Sequence, residues 1–122
     1  MRNQGSALRY VEATRVTGPG GDLAAVELRG HGDEPIGSLD GLLIDPVERR
    51  LRFFVVQSPG LLRSRRYLLP SDCAARVDAD GRALYVAVER ADLRRCEEFR
   101  RSSVPAYSDD DTVEALFGQR IA

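Results

Sequence analysis

Two adjoining apolar segments constrain the fold more than any other feature of the 122-residue sequence. The first, Ile36–Asp45, is interrupted by Gly37 and Gly41, and the second is Leu51–Gln57. Glycine is costly inside a helix, whereas inside a strand it marks a bulge or a sharp bend. The Asp45-Pro46 step between the segments suits the first two positions of a type I turn. The pair therefore predicts two successive strands, and the second, apolar on both faces, is expected to lie centrally in a sheet.

Shorter strand patterns flank this pair. They cover Leu8–Val16, Leu23–Arg29, Arg66–Leu69 and Leu84–Val88. Glycine-rich or proline-containing stretches at 18–22, 30–35 and 77–83 predict turns between strands. Short strands at this spacing, with turn signals between them, indicate a mainly β protein, either a sandwich or a small barrel.

Composition excludes several classes of protein. The formal net charge is −1, so no overall field attracts the chain to nucleic acid or anionic lipid. All 18 basic residues are Arg, which fits the codon usage of a GC-rich genome better than a dedicated phosphate-binding surface, since 19 acidic residues offset them. The N-terminus lacks the apolar core of a signal peptide, and no apolar stretch is long enough to span a membrane. We expect a cytoplasmic protein of one domain.

The last third of the chain differs in character. Ser108 can cap a short helix whose first turn carries three Asp residues, which favour a helix N-terminus. Val113, Leu116 and Phe117 form an apolar stripe on that helix. The stripe either covers the sheet of its own chain or docks on another subunit.

The ordered set of these motifs resembles the PRC-barrel family. The residues that carry the resemblance run from Gly32 to Pro46, continue through Arg52–Val56 and Arg66–Pro70, and end with Leu84–Val88 and Asp92-Leu93. The family comprises the cytoplasmic barrel of the photosynthetic reaction-centre H subunit, a domain of a ribosome maturation factor and short stand-alone bacterial proteins.

The resemblance implies a small β-barrel of short antiparallel strands with a short C-terminal helix. Its expected divisions are an N-terminal extension at 1–22, a barrel-like core at 23–95 and a C-terminal connector and helix at 96–122. The family has no shared catalytic residues to transfer. No membrane-spanning helix precedes the barrel, so the anchoring role of the reaction-centre subunit does not carry over.

Residues that could support catalysis or bind a metal are sparse. His31 is the only histidine, and zinc needs three or four nitrogen or sulfur ligands. Cys73 and Cys96 belong to no CxxC motif and are expected to be reduced and packed. The Asp78–Gly81 stretch has the spacing of a hairpin turn rather than of a calcium loop. We expect no enzyme activity, no cofactor and no metal.

Partner contacts are predicted at three places. Leu61 and Leu62 are apolar residues in a predicted loop, and they either fold over a barrel end or form a contact patch. Arg63, Arg65 and Arg66 follow them and form the densest basic cluster. The third place is the stripe of Val113, Leu116 and Phe117.

The expected role is a non-catalytic protein-interaction or assembly module whose partner is another protein or a second copy of the chain. A different reading is an RNA- or ribosome-associated factor that contacts phosphates through its Arg clusters, which the offsetting acidic residues disfavour. A small enzyme or ligand-binding barrel is a third, and it requires a sizeable polar-lined pocket.

Overall fold

The computed structural model describes residues 8–18, 21–58 and 65–100, and they are mainly β. The strands are β1 Arg9–Glu12, β2 Thr17–Gly18, β3 Gly21–Asp22, β4 Glu27–Arg29, β5 Pro35–Asp45, β6 Arg50–Ser58, β7 Arg65–Pro70, β8 Ala74–Val77 and β9 Ala83–Val86, and the helix α1 is Arg90–Leu93. Three-residue 3₁₀ turns lie at Ala13–Arg15, Leu23–Ala25, His31–Asp33 and Ser71–Cys73. No helix in these ranges is long and apolar enough to cross a membrane.

The strands of the main sheet follow the order β7-β6-β5-β4-β9-β8. All neighbours are antiparallel except β4 and β9, which run parallel. The long strand β5 pairs with β6 along one side and with β4 and then β1 along the other. β2 and β3 form a separate two-stranded ribbon. The segment that the sequence predicted to lie centrally, β6, is an interior strand between β5 and β7.

The sheet curls until its two end strands meet at one corner. β7 and β8 stand at opposite ends of the strand order, yet only Ser71–Cys73 link them, a span of about 14 Å at most. The Ser71 hydroxyl donates to the carbonyl of Leu51 (2.8 Å), and the Ala87 N–H donates to the carbonyl of Cys73 (2.8 Å). The described residues show no pairing between β7 and β8, so the sheet is strongly curled without a closed ring of strands.

The main core lies on the concave face of the sheet. Its largest fully buried side chains include Phe54, Leu42, Leu28 and Leu84, each 0% exposed. They come from β6, β5, β4 and β9, so every central strand contributes to one cluster. Burial of each such side chain favours folding by about 1.5–3 kcal/mol.

A second apolar cluster lies on the other face of the same strands. It consists of Tyr10, Leu43, Val55 and Phe99. The first three alternate with core residues along β1, β5 and β6, so the two-residue period of a strand places them on the outer face. The fourth comes from the segment after α1. All four side chains are buried, at 0–6% exposed, so this face forms a second, smaller core rather than an open apolar surface.

Backbone hydrogen bonds hold the segment Glu97–Phe99 along the outer edge of β7. The Leu68 N–H donates to the carbonyl of Glu97 and the Phe99 N–H to the carbonyl of Arg66, each at 2.8 Å. These two bonds flank an antiparallel bridge between Tyr67 and Glu98. The segment therefore covers part of an edge strand and carries Phe99 onto the outer face.

Two predicted strands are shorter than expected. The predicted strand Leu23–Arg29 begins with a 3₁₀ turn over Leu23–Ala25, and only Glu27–Arg29 pair as β4. The Leu23 N–H donates to the carbonyl of Val16 (2.9 Å), and the chain must turn there as it leaves the β2–β3 ribbon. Similarly, the strand predicted from Leu8 ends at Glu12 in the turn Ala13–Arg15. β8 was not predicted, because its Ala-Ala-Arg-Val sequence has little strand signal.

The predicted turns at Asp45-Pro46, 30–35 and 77–83 are confirmed. Within the predicted loop 18–22, Gly18 and Gly21–Asp22 pair in the β2–β3 ribbon, and residues 19–20 lie outside the described residues. The buried carboxylate of Asp45 accepts hydrogen bonds from the N–H groups of Val47 (3.0 Å) and Glu48 (3.1 Å), which fixes the Asp-Pro turn between β5 and β6. Asp78 acts in the same way between β8 and β9, where its Oδ1 accepts from the N–H groups of Arg82 (2.9 Å) and Ala83 (3.2 Å). The oxygen thus closes a hairpin, as the sequence predicted. The predicted helix at 108–118 lies outside the described residues.

Candidate functional site

Asp40 is the extra residue of a β-bulge in the middle of β5. Leu39 pairs with Val56 of β6 and Gly41 pairs with the adjacent Val55, so Asp40 has no residue opposite it. A bulge breaks the alternation of side chains and redirects the extra residue. The glycine-rich sequence predicted a bend here, and the structure places a carboxylate at that bend.

Side chains from two further strands converge on the Asp40 carboxylate. The Tyr10 hydroxyl of β1 donates to Asp40 Oδ2 at 2.7 Å. The Arg66 Nε of β7 lies 3.1 Å from the same oxygen. The Asp40 side chain is 17% exposed and that of Arg66 is 45% exposed. One largely buried oxygen therefore ties together three strands.

Gly41 allows Tyr10 to approach β5. A Cβ at Gly41 would lie 2.6 Å from the carbonyl oxygen of Val11 and closer still to the Tyr10 ring. On its other side the Tyr10 ring packs against Phe99, with ring centroids 5.1 Å apart and planes tilted by 30°. The absence of a side chain at Gly41 thus permits the position from which the Tyr10 hydroxyl reaches Asp40.

A cavity of about 290 Å³ opens beside this cluster. Its walls combine charged and polar side chains with a small apolar area, and the lining residues are Tyr10, Glu12, Thr14, Ala24, Ser38, Leu39, Asp40, Gln57 and Arg66. A second groove of about 400 Å³ adjoins it and shares Ser38 and Gln57. In that groove the Arg90 Nη2 donates to the carbonyl of Pro35 at 2.7 Å.

Several polar atoms in the cavity wall are not engaged by the described part of the chain. Asp40 Oδ1 accepts no hydrogen bond there, because both side-chain contacts of this residue use Oδ2. Likewise, the guanidinium of Arg66 makes its described contact through Nε and leaves both Nη groups unused. The cavity can therefore offer an acceptor and a forked donor to a ligand.

The structure describes two of the eight residues that the sequence nominated for partner binding. Arg65 and Arg66 open β7, and Arg66 takes part in the cluster around Asp40. Leu61, Leu62, Arg63, Val113, Leu116 and Phe117 lie outside the described residues. Sequence reasoning missed Tyr10 and Asp40; the bulge glycine Gly41 was the available signal, but a sequence does not show which strand packs over it.

The Arg clusters do not all share one surface. Arg49 precedes β6 and Arg50 begins it. Arg65 and Arg66 pair with the opposite end of that strand, about 25 Å from Arg50 along the strand. Arg65 has Arg100 nearby, since the Phe99 N–H bonds to the carbonyl of Arg66 in an antiparallel arrangement. One end of the β6–β7 pair is therefore basic.

Neither cysteine thiol is activated by its surroundings. Cys73 and Cys96 are both half-buried free thiols that pack against the main core. Burial, reinforced by the carboxylates of Asp72 and Asp92, raises the pKa of Cys73, and burial raises the pKa of Cys96 as well. A raised pKa leaves less nucleophilic thiolate at neutral pH.

No group of three or more His, Cys, Asp or Glu side chains within the ranges that the structure covers could hold a metal ion. His31 lies exposed in the 3₁₀ turn before β5.

The Asp78 carboxylate has a lowered pKa. Partial desolvation acts to raise it, but hydrogen bonds from the backbone N–H groups of Arg82, Ala83 and Gly81 outweigh that effect. The shift is accounted for by a structural role in the hairpin.

Comparison of the sequence with protein-family models and with curated proteins finds no match.

Proposed function

We propose that the protein is a non-catalytic interaction or assembly module of the stand-alone PRC-barrel type, and that it associates with a second copy of itself. The observation that carries the proposal is the partly exposed apolar rim formed by Leu8, Phe53 and Leu68 around the buried outer cluster. Apolar side chains left partly exposed at the edge of a buried cluster are typical of a surface that contacts a partner.

The margin of this face favours a contact. Leu8, Phe53 and Leu68 pack against the outer cluster and are only partly buried. A partner that covered them would remove further apolar surface from water, and each residue would add to the affinity in proportion to its newly buried area. The two-fold contact of a homodimer needs one self-complementary patch, which the rim of Leu8, Phe53 and Leu68 can supply.

The PRC-barrel type is proposed from the shape of the sheet. Its support is the strong curl of the sheet, the Asp-Pro turn between the two central strands, and the three-residue link between the end strands. These features support the proposed relation to the family.

The homodimer is tested by light scattering over a range from low to high micromolar concentration. We expect a dimer that dissociates on dilution, and Phe53→Glu should shift the equilibrium to monomer because a charge at the contact would be desolvated. The matched control is Ala75→Glu on the exposed surface of β8. A monomer throughout the range, or equal effects of the two variants, would refute association through this face.

A second candidate is an RNA-binding role, which the basic end of the β6–β7 pair favours. Arg65 and Arg100 are exposed at this end. Binding to a single-stranded RNA should weaken steeply with salt and fall when Arg65 is changed to Ala together with Arg63 and Arg66. The control is Arg49→Ala with Arg50→Ala at the opposite end. Absence of binding at low salt would eliminate this role.

A further inference from the structure

The cavity beside Asp40 has features of a site for a small ligand, which a protein-interaction surface does not need. Its wall contains one side chain with an unused acceptor oxygen and one with two unused donor nitrogens. The donors and the acceptor belong to a single ion pair, Arg66 Nε to Asp40 Oδ2, whose atoms are 3.1 Å apart. A ligand that meets both must carry complementary groups close together.

The Arg66 guanidinium lines the cavity and can bind a planar anion. Its Nε is held by Asp40, whose carboxylate is held in turn by the buried hydroxyl of Tyr10. A guanidinium with a fixed plane presents its two Nη groups as a fork that matches both oxygens of a carboxylate. Because the Nε contact restrains the side chain before the ligand arrives, less side-chain entropy is lost on binding.

Asp40 Oδ1 selects a second group on the same ligand. It is a carboxylate oxygen, so it can only accept a hydrogen bond, and an ammonium or amide N–H is its natural partner. A bare carboxylate would leave Oδ1 unpaired near a second negative charge. An N–H group one or two bonds from the ligand carboxylate would satisfy it.

Volume restricts the size of the ligand. The cavity measures about 290 Å³, which is at the lower limit for ligand pockets. Leu39 and Ala24 provide a small apolar wall beside the polar groups. Room exists for a group the size of one amino-acid residue with a small side chain.

We propose that this cavity binds an α-carboxylate with an adjacent N–H donor, the group common to a free amino acid and the C-terminal residue of a peptide. Arg66 binds the carboxylate and Asp40 Oδ1 accepts from the nitrogen. The site goes beyond the proposed function, since an assembly module requires no small-ligand cavity and the ligand requires no dimer.

The test is titration of the ¹⁵N-labelled protein, observed through backbone amide shifts, with three probes. L-alanine carries the carboxylate and the ammonium, N-acetyl-L-alanine keeps the carboxylate and an amide N–H, and L-alaninamide lacks the carboxylate. We expect saturable shifts at the amides of Asp40, Gly41 and Gln57 with either or both of the first two. Tighter binding of L-alanine identifies a free amino acid, and binding of N-acetyl-L-alanine at least as tight identifies a chain end.

Variants of two adjacent arginines make the test specific. Arg66→Gln should weaken binding about tenfold or more, since it removes a charge-assisted fork, and Arg66→Lys should restore only part of the loss. Arg65→Gln is the matched control, because Arg65 is the neighbouring exposed arginine and does not line the cavity. Dimerisation is measured on the same samples, so a failure here is distinguishable from a failure of the proposed association.

Three results would overturn the proposal. The first is that no probe gives a saturable shift at about 10 mM, a concentration that detects even millimolar affinity. The others are that L-alaninamide binds as tightly as L-alanine, and that the Arg66→Gln and Arg66→Lys proteins bind as tightly as the wild type.

Discussion

Removal of the Tyr10 hydroxyl tests whether the three-strand cluster stabilises the fold. In Tyr10→Phe the aromatic ring remains against Phe99, but Asp40 Oδ2 loses its 2.7 Å hydrogen bond. A hydrogen bond to a charged group contributes about 1.5–3 kcal/mol. Asp40 is 17% exposed and keeps Arg66, so water and the guanidinium compensate in part and the lower limit is expected. With an m-value of about 2 kcal/mol/M, a loss of about 1.5 kcal/mol lowers the urea midpoint by about 0.7 M.

The matched control is Tyr85→Phe in β9. The Tyr85 ring lies under the guanidinium of Arg76, 3.8 Å from ring centroid to Cζ, and its hydroxyl makes no hydrogen bond within the described chain. Its loss should change stability by less than about 0.5 kcal/mol. The cost of Tyr10→Phe should also shrink in an Asp40→Asn background, because the two changes remove the same interaction. A loss below about 0.5 kcal/mol for Tyr10→Phe, or one equal to the control, would refute the reasoning.

Three further predictions concern substitutions and side-chain reactivity. Gly41→Ala should destabilise the protein by about 2 kcal/mol or more in urea unfolding, because the added methyl group displaces Tyr10 and the backbone of β1. Wild-type stability of this variant would contradict the close approach of Tyr10 to Gly41. Asp78→Asn should flatten the dependence of the free energy of unfolding on pH below about 4. A carboxylate whose folded pKa is lowered stabilises the fold above its unfolded pKa and loses that contribution as the pH falls. An unchanged pH profile would refute this role. Cys73 and Cys96 should be alkylated by iodoacetamide several-fold more slowly in the folded protein than in urea at pH 7.5, as measured by mass spectrometry; equal rates would contradict a raised pKa.

The parts of the fold that the sequence predicts are those set by local chemistry. Asp45 and Asp78 precede their turns and hold them with their own carboxylates, so a short stretch of sequence contains the whole interaction. A continuous apolar run located β6 and a period-two pattern located β9 for the same reason. The turn at Leu23–Ala25 was missed because it depends on a bond to Val16 across the β2–β3 ribbon, which no local pattern records.

The candidate site was less predictable because it is built from distant residues. Tyr10 and Asp40 are 30 positions apart, and Arg66 lies a further 26 along the chain. Each residue alone has an ordinary environment in the sequence. Arg66 was nominated for its charged neighbours, whereas the structure gives it a specific carboxylate partner. Only the pairing of β1 with the second half of β5, and of β7 with β6, brings the three together.

The bulge at Asp40 bends β5 and also places a carboxylate in the wall of the cavity. β5 must bend because it carries β4 and β1 in succession along one side and β6 along the whole of the other. A bulge supplies the bend and necessarily releases one side chain from the regular alternation. Here the released residue is a carboxylate, and the adjoining glycine leaves room for the aromatic ring that holds it. An apolar residue at position 40 would serve the bend equally well, so the acid at this point acts through its contacts with Tyr10 and Arg66.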